Sequence, residues 1–304
     1  MRPHHEAVRP TTIIESPRLS KRLGVQVVIA SETFQVTGSF KFRATYNVVL
    51  HVPNEHILAA SSGNFGQAMA YACQLAGKRC TVVMPDNSAR VKVEAVREYG
   101  ATVDLIDVRK VSRSARVQEL ADEMGEPYIA SAYDDPLVIE GNASLGEELL
   151  ALGRRFDAVV VPVGGGGLIS GIAQSFARTT NSAKIIGAEP ALANDGARSL
   201  REGRLVLNEH EPQTIADGAR TVSLGKHNWP IIREHVAEII EVSEEQIREG
   251  VRLLYSLANL KVEPTGALTI GAFLAAPEQF RDREVCCVVS GGNVDAEMYR
   301  ECIA

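Results

Sequence analysis

Short apolar runs alternate with helical patterns along almost the whole chain. The runs end at Gly, Pro, Asp or Ser and predict buried strands over residues 25–30, 57–60, 81–84, 102–106, 158–161, 185–188 and 285–289. Helices are predicted over 65–76, 89–99 and 244–259, the last opened by a capping box of Ser243 and Gln246. The alternation predicts an α/β fold with a parallel sheet covered by helices on both faces.

The segment 54–133 contains a β-α-β-α-β pattern of its own. It is followed by Asp134-Asp135-Pro136, where the chain is expected to leave a helical path because proline restricts the residue before it. We therefore predict a small domain over 54–133, inserted in a large domain made of residues 1–53 and 134–304.

The composition is that of an ordinary globular protein, with 304 residues, 45% hydrophobic and 23% charged. A net charge of -6 argues against nucleic acid or an anionic membrane as partner. No apolar run could span a bilayer and the N-terminus lacks a secretory signal, so a cytoplasmic protein is expected. The five cysteines form no CxxC pair, which favours free, mostly buried thiols.

A lysine follows a Gly-Ser turn in the segment Thr37-Gly38-Ser39-Phe40-Lys41-Phe42-Arg43. The flanking aromatic rings suggest a partly desolvated amine with a lowered pKa, as an imine-forming lysine requires. Taken alone, the segment fits a surface lysine on the first turn of a helix better.

Three further segments follow predicted strands, where α/β sheets bind ligands. Ser61-Ser62-Gly63-Asn64 precedes a helix and suits a carboxylate, or simply a helix cap. Gly164, Gly165, Gly166 and Gly167 lie between a strand and the helix that opens at Leu168, which favours a phosphate-binding loop of neither the Walker A nor the GxGxxG type. Ser290-Gly291-Gly292-Asn293 follows the last strand, as a ligand site or a turn.

In this order, the four segments resemble the pyridoxal-phosphate enzymes of the tryptophan-synthase β fold (fold type II), closest to serine/threonine dehydratases and serine racemase. The resemblance covers nearly the whole chain and extends to Glu263-Pro264-Thr265-Gly266. It implies two open, twisted, mostly parallel sheets with flanking helices, and a large cofactor domain with an inserted smaller one.

The resemblance also implies a role for each site residue. Lys41 would hold pyridoxal 5'-phosphate as a Schiff base and act as the catalytic base. Ser62 would stand on the opposite face of the cofactor as a second catalytic group. The remaining cofactor ligands would be Asn64 at the phenolic oxygen, the loop of Gly164, Gly165, Gly166, Gly167 and Leu168 at the phosphate, and Ser290 at the pyridine nitrogen.

A divalent cation is expected from the same resemblance. Glu189, the carbonyl of Ala193 and Asp195 match the cation site of serine racemase, and their oxygen atoms suit Mg²⁺, Ca²⁺ or Mn²⁺. The residues alone favour a solvated polar loop after a strand, and the cation site follows from the resemblance. Phe65 stands where close relatives often have histidine, which leaves the exact substrate open.

The expected function is therefore an ammonia-lyase (dehydratase) for L-serine, L-threonine or a related β-hydroxy amino acid. A serine-racemase-type amino-acid racemase is the alternative, and a non-catalytic module that binds a cofactor or metabolite is less favoured. A homodimer is expected from the family and from the frequency of twofold symmetry.

Overall fold

The computed structural model describes residues 4–61, 63–88 and 90–304, in which strands and helices alternate. The strands are β1 (Thr12–Glu15), β2 (Gln26–Ser31), β3 (His56–Ala60), β4 (Arg79–Pro85), β5 (Thr102–Ile106), β6 (Tyr128–Ala130), β7 (Ala158–Pro162), β8 (Lys184–Pro190), β9 (Glu238–Val242) and β10 (Glu284–Val289). The helices are α1 (His4–Ala7), α2 (Pro17–Leu23), α3 (Lys41–His51), α4 (Asn64–Ala76), α5 (Arg90–Glu98), α6 (Arg113–Met124), α7 (Pro136–Ala151), α8 (Gly167–Ala177), α9 (Asp195–Glu202), α10 (Asn228–His235), α11 (Glu244–Ala258), α12 (Pro264–Ala275), α13 (Pro277–Phe280) and α14 (Ala296–Ile303).

The strands form two sheets. The larger sheet has the order β1-β2-β10-β7-β8-β9, and only β1 and β2 in it are antiparallel. The smaller sheet has the order β5-β4-β3-β6 and is parallel throughout. The predicted α/β class with two mostly parallel sheets is thus confirmed. All strands of the smaller sheet fall between residues 56 and 130, while the domain boundaries themselves stay a prediction.

Every strand predicted from the apolar runs is present, and three further strands were missed: β1, β6 and β9. All three lie at the edge of a sheet. An edge strand has one neighbour and is only partly covered, so it needs fewer apolar residues and gives a weaker sequence signal. The burial patterns agree: the side chains of β1 are half-buried or exposed, whereas all five residues of the central strand β7 are buried.

Two expectations from the composition are also met in the described residues. Cys73, Cys80, Cys286, Cys287 and Cys302 are buried free thiols. The described part of the chain contains no helix that is both long and apolar enough to cross a membrane.

Helix α7 packs very closely against α3 and α8, because glycines occupy the contacts. A Cβ on Gly141 would lie 2.7 Å from the Arg43 carbonyl oxygen of α3. On the other side, a Cβ on Gly171 of α8 would lie 2.6 Å from the Ile139 carbonyl oxygen of α7. Both neighbours of α7 begin at residues that the sequence analysis singled out, Lys41 and Gly167, so this packing brings the two helix starts together.

Arg43 fastens the first turn of α3 to the larger sheet. Its side chain is fully buried and pairs with the equally buried Glu32 through Nε and Nη2, at 2.7 and 2.9 Å. It also reaches Glu148 of α7 through Nη1, at 2.7 Å. Burial by itself lowers the pKa of Arg43, but the charge and hydrogen bonds of Glu32, then Glu148, raise it overall. The guanidinium is therefore charged at any pH the protein tolerates.

We predict that Arg43→Met lowers the free energy of unfolding by about 3–5 kcal/mol, because it leaves the buried carboxyl group of Glu32 without its ion-pair partner. Chemical denaturation of the cofactor-free protein measures the change. Arg90→Ala is the matched control, since it removes an arginine whose partner Glu94 lies on the surface. Equal unfolding midpoints for the two variants would contradict the role given to Arg43.

Candidate functional site

The predicted cofactor-binding residues meet in one pocket of about 800 Å³, which is lined by residues from both sheets. Each of these residues follows the end of a strand, namely β2, β3, β7 or β10. The members of the predicted cofactor set that line it are Lys41, Asn64, Gly164, Gly165, Gly166, Gly167, Leu168 and Ser290. Ser62, predicted as the second catalytic group, lies outside the described residues.

The Lys41 amine stands in a dry, aromatic environment. Its Nζ lies 5.0 Å from the centre of the Phe40 ring and 5.8 Å from that of Phe65, and it donates a hydrogen bond to the Ala132 carbonyl oxygen at 2.7 Å. The loss of water around the amine lowers the pKa of Lys41 to about 8, against a smaller upward effect of the Glu263 charge. The desolvated lysine expected from the sequence is therefore present.

One detail of that expectation was wrong. The second ring beside the amine belongs to Phe65, which the sequence places 24 positions away, and not to the adjacent Phe42. Phe42 turns into the core and stacks on Tyr46, with ring centres 5.5 Å apart. On a helix, consecutive side chains point about 100° apart, so neighbours of Lys41 along the chain cannot both face the same pocket.

Glu263 is a site residue to which the sequence analysis gave no role. Its carboxylate accepts hydrogen bonds from Asn64 Nδ2 at 2.9 Å on each oxygen. Burial, followed by the charge of Asp217, raises the pKa of Glu263 to about 8, although the hydrogen bond from Asn64 opposes the shift. The available signal was a single acidic residue directly before Pro264, between apolar stretches, at the start of α12.

Asn64 is held firmly in place. While its Nδ2 donates to Glu263, its Oδ1 accepts from Asn293 Nδ2 at 2.8 Å, and Asn293 also donates to the Thr37 carbonyl oxygen at 2.7 Å. Asn64 opens α4 but does not cap it: the N-cap residue is Gly63, without a side-chain cap bond. This arrangement leaves the Asn64 amide facing the pocket rather than closing its own helix, as a ligand-binding residue requires.

The glycine loop has the shape of an anion cradle. Gly166 has φ +90°, a conformation that side chains with a Cβ disfavour. A Cβ on Gly165 would collide with the Tyr133 ring, so this glycine is required by the packing of Tyr133 as well. The Gly165 carbonyl is held by Asn228 Nδ2 at 2.7 Å and the Gly225 N–H at 2.9 Å. The first N–H groups of α8 have no partner within the helix and are available to a phosphate.

Ser290 offers a hydroxyl that no described residue satisfies. The residue is 1% exposed and its Oγ has no hydrogen-bond partner in the described part of the chain. Its carbonyl accepts from the Phe40 N–H at 2.9 Å, which fixes the serine next to the start of α3. A buried hydroxyl without a partner is rare in native structures, and a ring nitrogen at this place would satisfy it.

The predicted cation residues lie at the end of β8 and the start of α9. Glu189 accepts from the N–H groups of Ala197 and Gly196, at 2.7 and 3.2 Å. Asp195 Oδ1 accepts from Asn208 Nδ2 at 2.9 Å, while Oδ2 is buried with no described partner. Burial is the main cause of the raised pKa values of both carboxyl groups. The pKa of Glu189 lies well above its usual range, and that of Asp195 is about 6.

A cation would favour the charged form of both carboxylates and give Asp195 Oδ2 a partner. The two acidic side chains and the Ala193 carbonyl would supply only part of its ligands, and water would have to supply the rest. Within the described ranges, no three His, Cys, Asp or Glu side chains come together as a metal-binding group.

Comparison with known proteins agrees with this geometry. The model of the family described as "Pyridoxal-phosphate dependent enzyme" matches residues 5–291. The chain is 40% identical to an L-threo-3-hydroxyaspartate ammonia-lyase of Pseudomonas sp, over 95% of this chain and 91% of that one. It is 35% identical to the serine racemase of Mus musculus, over 95% and 88% of the two chains. A solved structure of a threonine deaminase from T.th. has a TM-score of 0.90 at 39% identity, over 95% and 94%.

We predict that the amine of Lys41 becomes reactive at unusually low pH. With its pKa at about 8, the neutral amine predominates above that pH. The rate at which the cofactor-free protein couples to pyridoxal phosphate should therefore rise with pH and level off above about 8, well below the ordinary lysine value of about 10.4. Stopped-flow absorbance measures this profile.

Glu263→Gln removes the charge that holds the Lys41 pKa up, so the midpoint of its profile should move to lower pH. Lys41→Ala should abolish the coupling signal and serves as the baseline. A midpoint near 10 in the unmodified protein, or a shift to higher pH in Glu263→Gln, would refute the assignment.

Proposed function

Because the chain belongs to the family of pyridoxal-phosphate-dependent enzymes, we propose that it is an ammonia-lyase for a β-hydroxy amino acid. The substrate would be L-serine, L-threonine or a relative such as L-threo-3-hydroxyaspartate, and the products a 2-oxo acid and ammonia. The observation that carries the proposal is the desolvated Lys41 amine in the same pocket as the glycine loop and Ser290. The bound cofactor supplies an electron sink that acidifies the Cα–H bond of the substrate.

Each side chain then has a defined task. The amine of Lys41 would attach the cofactor and, once free, would take the proton from Cα, which its lowered pKa permits near neutral pH. The N–H groups of the glycine loop and α8 would hold the phosphate. Asn64, fixed by Glu263 and Asn293, would donate to the phenolic oxygen.

Ser290 would orient the ring without charging it. A hydroxyl can hydrogen-bond the pyridine nitrogen, but unlike a carboxylate it does not force that nitrogen to be protonated. Less negative charge would then move into the ring, so departure of the β-hydroxyl would compete better with transamination. This property favours elimination over the other reactions that the cofactor supports.

The outer wall of the pocket supports a substrate with a second carboxylate. Lys92, Arg113 and Arg220 line it. Lys92 pairs with Asp217 at 3.4 Å and Arg113 with Glu211 at 3.1 Å, whereas for Arg220 the described residues provide one side-chain hydrogen bond, from Nε to the Thr214 carbonyl. The terminal nitrogens of Arg220 are therefore available, and L-threo-3-hydroxyaspartate should be turned over beside serine and threonine.

Racemisation is the second candidate, since serine racemases are among the relatives that are 34–35% identical to this chain. It needs a proton-transfer group on each face of the planar carbanion, whereas elimination needs the one base that Lys41 provides. Ser62 is the proposed second group. Chiral analysis of the amino acid left in each assay separates the two activities.

We predict that Lys41→Ala loses at least about a thousandfold of the 2-oxo acid formation, because imine former and base are removed together. The assay uses the L and D forms of serine, threonine and threo-3-hydroxyaspartate, with an oxo-acid-coupled readout. Lys21→Ala, which removes an exposed lysine of α2 that does not line the pocket, should keep full activity. If the folded Lys41→Ala protein turned over any L-substrate at the original rate, the proposal would fail.

We further propose that Glu189, the Ala193 carbonyl and Asp195 bind Mg²⁺, Ca²⁺ or Mn²⁺, and that the enzyme is a cytoplasmic homodimer. Adding Mg²⁺ to chelator-treated protein should raise its melting temperature, since a ligand of the native state stabilises it by mass action. Asp195→Asn should lose this response and keep the cofactor, while Glu209→Gln, an exposed substitution, should keep both. The cation site is rejected if none of the three metals changes the melting temperature or the rate.

A further inference from the structure

Asn142 stands out among the side chains of the pocket. It lies on α7, is 1% exposed and lines the same pocket as Lys41 and Leu168. Neither its Oδ1 nor its Nδ2 has a hydrogen-bond partner among the described residues. Ser290 is the other pocket-lining residue of the described chain that is equally buried and also lacks a partner.

A buried side-chain amide without hydrogen-bond partners indicates a ligand-binding site. Burying a donor and an acceptor without partners costs free energy, and native proteins rarely accept it. An apolar side chain would fill the same space without that cost. Asn142 is therefore expected to gain a hydrogen bond when the pocket is filled, as Ser290 is.

The packing of α7 indicates which end of the pocket the amide faces. Gly171 of α8 lies against the backbone of Asn142 and Ala143, and Ser175, one turn later, lies against Gly146. The contacts advance in the same direction, so α7 and α8 run parallel. A helical side chain leans toward the N-terminus of its helix. Asn142 therefore leans along α8 toward Leu168 and Gly167, where the phosphate loop ends.

We propose that Asn142 is a further cofactor-binding residue, and that its side-chain N–H donates a hydrogen bond to the phosphate of pyridoxal phosphate. The inference rests on the cofactor site of the proposed function and is independent of the substrate. The glycine loop can offer the phosphate backbone N–H donors, since glycine has no side chain. A neutral amide adds a side-chain donor without adding a charge that would bind other anions in its place.

The test compares pyridoxal phosphate with pyridoxal, which has the same ring and aldehyde but no phosphate. Cofactor-free Asn142→Leu and Asn142→Ala proteins are titrated with each compound, and the visible absorbance of the lysine-bound form is followed. Affinity for pyridoxal phosphate should fall about tenfold or more, because hydrogen bonds to charged groups are the strong ones. Affinity for pyridoxal should stay within about twofold of the original protein.

Unfolding of the cofactor-free variants distinguishes a binding role from a structural one. Since the amide has no described partner, Asn142→Leu should unfold at the same or a higher denaturant concentration than the original protein. Asn47→Ala is the matched control: Asn47 is a buried asparagine of α3 whose Nδ2 donates to the Leu137 carbonyl at 2.9 Å, outside the pocket. It should lower the unfolding midpoint and leave the ratio of the two affinities unchanged.

Two results would overturn the proposal. An equal loss of affinity for both compounds would place Asn142 at the ring or in the framework, and unchanged affinity for pyridoxal phosphate would exclude a contact altogether. If Asn142→Leu does not fold, Asn142→Ala gives the same comparison. A protein that passes this test but turns over no hydroxy amino acid would refute the proposed lyase function and leave this inference standing.

Discussion

The close contact of α7 with α3 and α8 is the constraint on which the site depends. Two glycines, Gly141 and Gly171, allow backbone to touch backbone at these contacts. Since α3 begins at Lys41 and α8 at Gly167, the spacing between the reactive amine and the phosphate loop is set by this packing and not by the loops themselves. Interiors packed at this density deform little, so the two ends of a bound cofactor would be held at a fixed separation.

Burial shifts the pKa values of two ionisable side chains in the pocket. It lowers the pKa of Lys41 and raises that of Glu263, and both reach about 8. The ordinary pKa values of a lysine and a glutamate differ by about six units, so burial favours the neutral form of both side chains. Asn64 connects Glu263 to Asn293, so the electrostatics of the pocket rest on residues from α3, α4, the N-cap of α12 and the loop after β10.

The sequence predicts the central strands and the local segments well, because their signal is contained in a few neighbouring residues. The glycine run 164–167 and the lysine after Gly38-Ser39 are examples. It does not reveal the bond between Asn64 and Glu263, which are 199 positions apart, or the ring of Phe65 over Lys41. The role of Asn142 cannot be predicted from the sequence for another reason. Whether the amide of an asparagine in an apolar helix has hydrogen-bond partners depends on how the neighbouring helices pack around it.

The position of β10 has a consequence for how the protein is made. This strand is central in the larger sheet, between β2 and β7, yet it is the last strand in the chain. On the ribosome, β2 and β7 emerge long before it and cannot be joined until β10 arrives. All strands of the smaller sheet, by contrast, are contiguous in sequence and can pair during synthesis. The nascent chain can therefore carry a paired small sheet beside an open large one, with the apolar edges of β2 and β7 exposed until β10 has been synthesised.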